Sequence, residues 1–293
     1  MPLLRIYLDV ASLTPASFAS TLTLLLLPPE THDRIKRYHF PADRYLSLGS
    51  ALLQRWIICT HYSSHRTLSS VPLKTDPSSG RPSHAATGPL RDTLGVEDYN
   101  TTHHRPPPGE RCIVALSALT SATPERKRRV GVDIVPTSHR SDGGDFVETF
   151  CGDGGAAGAA GVFTPLEIAT IMAHESIQER VRCLYLFWAL KEAYTKAIGM
   201  GVVMDLTRVE FRGVRIFEGQ RWRGAEIWVD GVDESGKWYL EVSFMRGVLG
   251  GEGDGFYIAI CCEREGITEE DMEGEWREVD LVEDIVKPWG GAA

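Results

Sequence analysis

Trp188-Ala189-Leu190-Lys191-Glu192-Ala193-Tyr194-Thr195-Lys196 is the stretch on which the reading of this chain turns. It lies in a run from about Glu179 to Ile198 in which Leu184, Phe187, Leu190, Ala193, Tyr194 and Ala197 recur at helical spacing. That run predicts a long helix, with Gly199 as its C-cap. Trp188, Glu192 and Lys196 are each four apart and so form a stripe on a single face. In isolation Glu192 and Lys196 read as a surface ion pair, worth roughly a few tenths of a kcal/mol.

Working outward, Gly131-Val132-Asp133-Ile134-Val135 puts an aspartate inside an otherwise apolar strand. Burying that carboxylate is costly without a compensating partner, unless it caps the strand end in solvent. Further upstream stand Gly80-Arg81-Pro82, by itself a turn, and Asn100-Thr101-Thr102-His103-His104, by itself a polar loop. Taken together these pieces carry more. A carboxylate on a strand and another on a helix suit Mg²⁺, which takes a few carboxylate oxygens, waters and substrate phosphates. A lysine one turn beyond the second carboxylate would reach the same phosphates as a point charge. Phosphoryl-group chemistry asks for this combination of positioning and charge neutralisation.

The rest of the chain supplies the frame. Leu3 to Val10 and Cys112 to Leu119 read as strands, and Asp33 to Tyr62 as a helix containing Arg44 and Arg55. Residues between Ser63 and Glu110 are rich in Ser, Pro, Thr and His and read as loops around one or two short elements. Ser141 to Gly161 is rich in glycine without a sustained period and reads as a flexible insertion. Thr164-Pro165-Leu166-Glu167 is a capping box that opens another helix. Strand-like pieces follow at Val209 to Phe217, Ala225 to Val229, Trp238 to Met245 and Phe256 to Cys262. The acidic stretch from Glu265 reads as a tail or a helix docked on the surface. The expected organisation is an N-terminal lobe over 1–124, a C-terminal lobe over 125–264 with the insertion at 141–161, and a tail over 265–293.

Composition excludes several classes. The net charge of −9 argues against general nucleic-acid binding, while leaving room for a local basic pocket. The apolar run Leu24 to Leu27 ends at Pro28 and Pro29, far short of a membrane span. No secretory signal layout opens the chain, and none of the six cysteines forms a C-x-x-C pair. A reduced cytoplasmic protein is the expectation, without a zinc site. Walker and kinase motifs are absent, which weakens any other magnesium phosphotransferase as a reading.

The ordered set G-R-P (Gly80 to Pro82), N-T-T-H (Asn100 to His103), G-V-D-I-V (Gly131 to Val135) and W-A-L-K-E-A-Y-T-K (Trp188 to Lys196) resembles the 4′-phosphopantetheinyl transferase superfamily. It is most similar to the larger, surfactin-synthetase-activating type, with loops that suggest a fungal member. The resemblance spans about residues 30 to 262, with unmatched insertions at Ala85 to Asp98, Arg105 to Glu110 and Ser141 to Gly161. It implies an α/β fold of two similar lobes, each a small antiparallel sheet with a long helix, with the active site at the lobe interface. It also implies transfer of the phosphopantetheine arm of coenzyme A to a serine of an apo carrier domain.

By the same resemblance Asp133 and Glu192 would ligate Mg²⁺, and Glu192 would help remove the serine proton. Lys196 would neutralise the pyrophosphate as 3′,5′-ADP leaves. Thr102 and His103 would contact the 3′-phosphate end of coenzyme A, and Arg81 and Arg44 would contact phosphate. Val135 stands where many bacterial members carry a further acid, so the metal shell would need water or another side chain; His104 is nearest in sequence. The implied partners are acyl and peptidyl carrier domains of fatty-acid, polyketide, nonribosomal-peptide or aminoadipate-reductase systems, the last tied to lysine biosynthesis. Arg126 to Arg129 reads either as a docking patch for such acidic domains or as a solvated basic run. A monomer is expected. The alternative is an inactive relative that binds coenzyme A or a carrier protein without transfer.

Overall fold

The computed structural model describes residues 3–11, 13–19, 26–63, 67–77, 80–84, 89–90, 94–104, 111–122, 128–139, 143–152, 161–247 and 255–289. In chain order these form β1 (Leu3–Asp9), α1 (Pro15–Ala19), α2 (Pro29–Lys36), α3 (Pro41–His61), β2 (Leu73–Thr75), β3 (Pro82–His84), β4 (Gly95–His103) and β5 (Ile113–Ser121). Then come β6 (Val130–Pro136), α4 (Gly144–Cys151), α5 (Pro165–Met172), α6 (Ile177–Ile198), β7 (Val209–Arg212), β8 (Arg221–Trp222), β9 (Glu226–Val229) and β10 (Val232–Asp233). The chain ends with β11 (Trp238–Arg246), β12 (Gly255–Glu263), α7 (Glu269–Glu273), β13 (Arg277–Glu278), a π-helical turn (Leu281–Val286) and α8 (Lys287–Trp289). No helix among the described residues is long and apolar enough to cross a membrane.

Two units divide the chain, one made of 1–130 with 266–293, the other of 131–265. The first holds a four-stranded sheet in the order β13-β1-β5-β4. Here β1 and β4 flank β5 antiparallel, while β13 lies parallel to β1. Helix α3 packs across β4 and β5. It carries Leu46, Leu52, Leu53 and Trp56 into the core with Leu8, Val114 and Leu116. Gly49 lets it come close, since a Cβ there would stand 2.9 Å from Val10 Cγ1. The single helix expected over Asp33 to Tyr62 is two. Phe40 precedes Pro41 and is extended, so α2 stops before it and α3 starts with proline at its first turn.

Three further expectations change. The segment between Ser63 and Glu110 contains a nine-residue strand, β4, which carries Thr102 and His103. A bulge between Val96 and Asp98 breaks the alternation that would have marked it. The acidic C-terminal stretch is no separate tail. Val279 donates to the Tyr7 carbonyl at 2.8 Å, Arg5 Nη1 donates to the Asp271 carbonyl at 2.8 Å, and Ile285 is buried in the first unit's core. The glycine-rich insertion is ordered in part: residues 144–151 form α4, with Val147 and Cys151 buried. Ser141, Asp142 and 153–160 lie outside the described residues, as do 105–110, Arg126 and Lys127.

The second unit repeats the plan of a four-stranded sheet and a long helix, making the whole an α/β protein. Its sheet runs β6-β12-β11-β8, and a three-stranded sheet runs β10-β9-β7. Strands β11 and β12 pair antiparallel over their whole length, from Trp238 with Glu263 to Arg246 with Gly255. Helix α6 lies against β12, with α4 and α5 packed beside it. Capping boxes at Thr164 and Ser176 start α5 and α6. Gly199, at φ 74°, ends α6 in the left-handed conformation that favours glycine.

Candidate active site

In the second unit Asp133 points from β6 toward α6. Gly131 is why the strand comes so near: a Cβ on it would lie 2.0 Å from the Ala193 carbonyl oxygen and 2.4 Å from the Ala197 nitrogen. With hydrogen there instead, the strand backbone rests on the helix backbone beside the last turns of α6. Lys196 Nζ then reaches Asp133 Oδ1 at 2.5 Å and the Val132 carbonyl at 3.2 Å. Lys196 therefore gives its ammonium to Asp133 across the two elements, in place of the surface pair with Glu192 that spacing alone suggests.

Glu192 lies one turn before Lys196 and is half-buried. Burial pushes its carboxyl above the ordinary glutamate range, the Asp133 charge adds to the rise, and Lys196 opposes it. Two carboxylates that feel each other's charge thus stand near each other, with the Lys196 ammonium on one of them. No cluster of three or more metal-ligating side chains occurs among the described residues. The pair fits a hard ion that keeps several waters and takes oxygens from phosphates, as Mg²⁺ does, better than an ion needing a full protein cage. Trp188, one turn before Glu192, packs edge-on against Phe150 of α4 with ring centroids 5.3 Å apart. The first residue of the motif thus anchors the helix against α4.

The first unit holds the remaining sequence-predicted residues. Arg81 is 8% exposed. Its Nη2 donates to Asp98 Oδ2 at 2.5 Å and to the Val130 carbonyl at 2.6 Å. A phosphate at Arg81 would have to share the guanidinium with Asp98, whose carboxyl burial pushes up to about 6 against the pull of Arg81. Thr102 is buried and His103 exposed at the end of β4. Arg44, in the first turns of α3, donates from Nε to the Tyr38 carbonyl at 2.8 Å. Of the basic run, Arg128 is buried and paired with Glu97 at 2.6 Å, so that side chain is no docking group. Arg129 is exposed.

Sequence reasoning placed Glu167 in a capping box and Lys191 on the helix but missed that the two pair. Lys191, 1% exposed, sits 2.9 Å from Glu167 Oε2, and Glu167 is fully buried. The one available signal was a lysine on the helix that lies off the Glu192 stripe and among apolar neighbours.

A strand-borne aspartate, a helix-borne glutamate and a lysine one turn on are the group types that phosphoryl-transfer chemistry asks for. Residues 129–261 match the family model of the 4′-phosphopantetheinyl transferase superfamily. Among curated proteins it is 26% identical over 234 residues to the human L-aminoadipate-semialdehyde dehydrogenase-phosphopantetheinyl transferase, covering 76% of this chain. The match spans 64% of the human protein's length. It is 25% identical over 285 residues to 4′-phosphopantetheinyl transferase A of Aspergillus fumigatus, covering 78% of this chain and 76% of that one. A 4′-phosphopantetheinyl transferase of Paxillus involutus is 25% identical over 236 residues, with 78% and 82% covered.

Proposed function

We propose that this protein transfers the 4′-phosphopantetheine group of coenzyme A to a serine of an apo carrier-protein domain and releases 3′,5′-ADP. The reading is carried by the meeting of Asp133, Glu192 and Lys196 within the segment that matches the superfamily. Asp133 and Glu192 would hold Mg²⁺, which when bound neutralises the pyrophosphate and polarises its oxygens. Glu192 takes the proton of the carrier serine, directly or through a water. Its raised affinity for a proton brings it nearer to the working pH of a general base. The serine oxygen bonds to the phosphorus that bears the pantetheine. The bond from that phosphorus to the bridging oxygen breaks, and the nucleotide departs with that oxygen. Lys196 offsets the negative charge left on it. Arg44, Arg81, Thr102 and His103 would bind the nucleotide end of coenzyme A.

The acceptors in this reading are carrier domains of fatty-acid, polyketide, nonribosomal-peptide or aminoadipate-reductase systems, met by a monomeric protein in the cytoplasm. All six cysteines are free and buried, which suits a reducing compartment. The test is incubation with coenzyme A, Mg²⁺ and an apo carrier domain, followed by intact mass. A gain of one phosphopantetheine on the carrier is expected, lost with chelator and with a carrier lacking the serine. An unchanged carrier across several carrier types would refute the assignment.

A further inference from the structure

Lys191 and Glu192 are neighbours in sequence and leave α6 about 100° apart. Glu192 faces the Asp133 side, while Lys191 runs into the interior of the unit. Its ammonium has three protons and meets three acceptors: Glu167 Oε2 at 2.9 Å, the Leu206 carbonyl at 2.9 Å and the Val209 carbonyl at 2.5 Å. Glu167 is equally committed. Its Oε2 accepts from the Thr164 backbone N–H at 2.8 Å, and its Oε1 accepts from the Phe211 backbone N–H at 2.8 Å. One closed network therefore ties the middle of α6 to the start of α5, to the turn at Leu206–Arg208 and to β7.

Both charges are stripped of water. Burial pushes the glutamate up and the lysine down, each opposed chiefly by the other. A buried ion pair of this kind is seldom better for stability than apolar side chains of similar volume. What it adds is geometry, because each of its hydrogen bonds has a direction and a length that a methyl contact lacks. On the opposite side, α6 is fixed by the backbone contact of Gly131 with Ala193 and Ala197. The segment bearing Glu192 is thereby gripped from two sides, and neither grip leaves it free to rotate.

We infer that Lys191 and Glu167 are positioning residues, whose buried pair sets the rotation of α6 that aims Glu192 and Lys196 at Asp133. The inference rests on the proposed transferase reading. It makes no claim that either residue touches substrate; each acts through the helix.

The experiment uses the full chain with Glu167→Gln, with Lys191→Arg and with the double change Lys191→Met plus Glu167→Gln. The double variant removes both buried charges together, so it leaves no unpaired ion. Three quantities are read: Tm, the affinity for Mn²⁺ added alone by calorimetry, and kcat with KM for coenzyme A. The expected pattern is a folded double variant with Tm near that of the parent, kcat down about tenfold to a hundredfold and Mn²⁺ affinity down several-fold. A shift of about 1 Å in a reacting group has an effect on this scale, and KM for coenzyme A should move little. Any folded variant that breaks the pair yet keeps parental kcat and Mn²⁺ affinity overturns the inference. Failure of all three to fold also overturns it, since the pair would then serve the fold itself. A parent protein that neither transfers nor binds Mn²⁺ sinks the transferase reading instead, a distinct result.

Discussion

Gly131→Ala tests whether the backbone contact between β6 and α6 sets the site. The added Cβ would meet the Ala193 carbonyl oxygen at 2.0 Å, the Ala197 nitrogen at 2.4 Å and the Lys196 carbonyl carbon at 3.0 Å. Ordinary contact begins near 3.4 Å, leaving a shortfall of about 1.4 Å at the first atom. All three atoms are main chain, so no side chain can rotate to relieve the clash, and strand and helix must part by about 1 Å. The helix atoms involved belong to Ala193, next to Glu192, to Lys196 and to Ala197, so the separation acts on the distance to Asp133. Misplacement on that scale lowers turnover about 100-fold, or ~2.7 kcal/mol of barrier. Overpacking destabilises by about 1–3 kcal/mol, offset by up to ~1 kcal/mol from the lower chain entropy of alanine in the unfolded state. Transfer would be followed by intact mass of the carrier, and stability by Tm. Gly236→Ala serves as the control, because a Cβ there meets nothing within 4 Å. A Gly131→Ala protein with transfer within twofold of the parent and an unchanged Tm would refute the contact as the positioning device.

Asp133→Ala and Glu192→Ala should each abolish detectable transfer while far-ultraviolet circular dichroism stays that of the parent, since neither side chain belongs to the apolar core of the second unit. Lys196→Met should slow transfer yet tighten binding of Mn²⁺ added without coenzyme A by about fivefold, the ~1 kcal/mol scale of a partly exposed ion pair no longer competing for Asp133. Glu192 ionises in the folded protein above its ordinary value of 4.5. Its protonated form therefore contributes stability that is present below 4.5 and is lost as pH rises through the raised value. Tm of the parent should fall relative to Glu192→Gln over that interval, in metal-free buffer, and a constant difference would contradict the shift. His103→Ala should weaken turnover of coenzyme A more than of dephospho-coenzyme A, measured as kcat/KM for each.

The helix that carries the candidate residues was legible because its pattern is local in sequence. Trp188, Glu192 and Lys196 share a helix face by spacing alone, and the caps at Thr164 and Gly199 are set by their own side chain or lack of one. The approach of Asp133 was not legible, since it depends on Gly131 meeting a helix more than sixty residues away in the chain. Helix α4 was hidden for a compositional reason. Its apolar residues Phe146, Val147, Phe150 and Cys151 form one face, but surrounding glycines dilute the period. Strand β4 was hidden because its polar groups find internal partners. Asp98 takes the Val130 N–H at 2.9 Å and pairs with Arg81, while Thr101 meets Ser50 at 3.3 Å. Buried polar groups look like loop residues until their partners are known. The same holds for Arg128, which reads as part of a surface basic run and is paired with Glu97.

The parallel pairing of β13 with β1, Ile6 opposite Arg277 and Tyr7 opposite Glu278, has a consequence in time. The first unit is discontinuous in sequence, with residues 131–265 threaded between its two parts. On a ribosome elongating at about 5–20 residues per second, the outer edge of β1 waits roughly 7–30 s after Val130 has been made before its neighbour emerges. Through that interval β1 presents unpaired amides and carbonyls to any other nascent strand. Trp56, which donates from Nε1 to the Asp284 carbonyl at 3.1 Å, likewise waits for its acceptor. The second unit lies wholly within 131–265, so all of its residues have been made by the time Glu265 is added. A nascent chain released before Arg277 would keep every residue of the Asp133, Glu192 and Lys196 cluster while leaving β1 bare, and would be lost to aggregation before chemistry had a chance to fail.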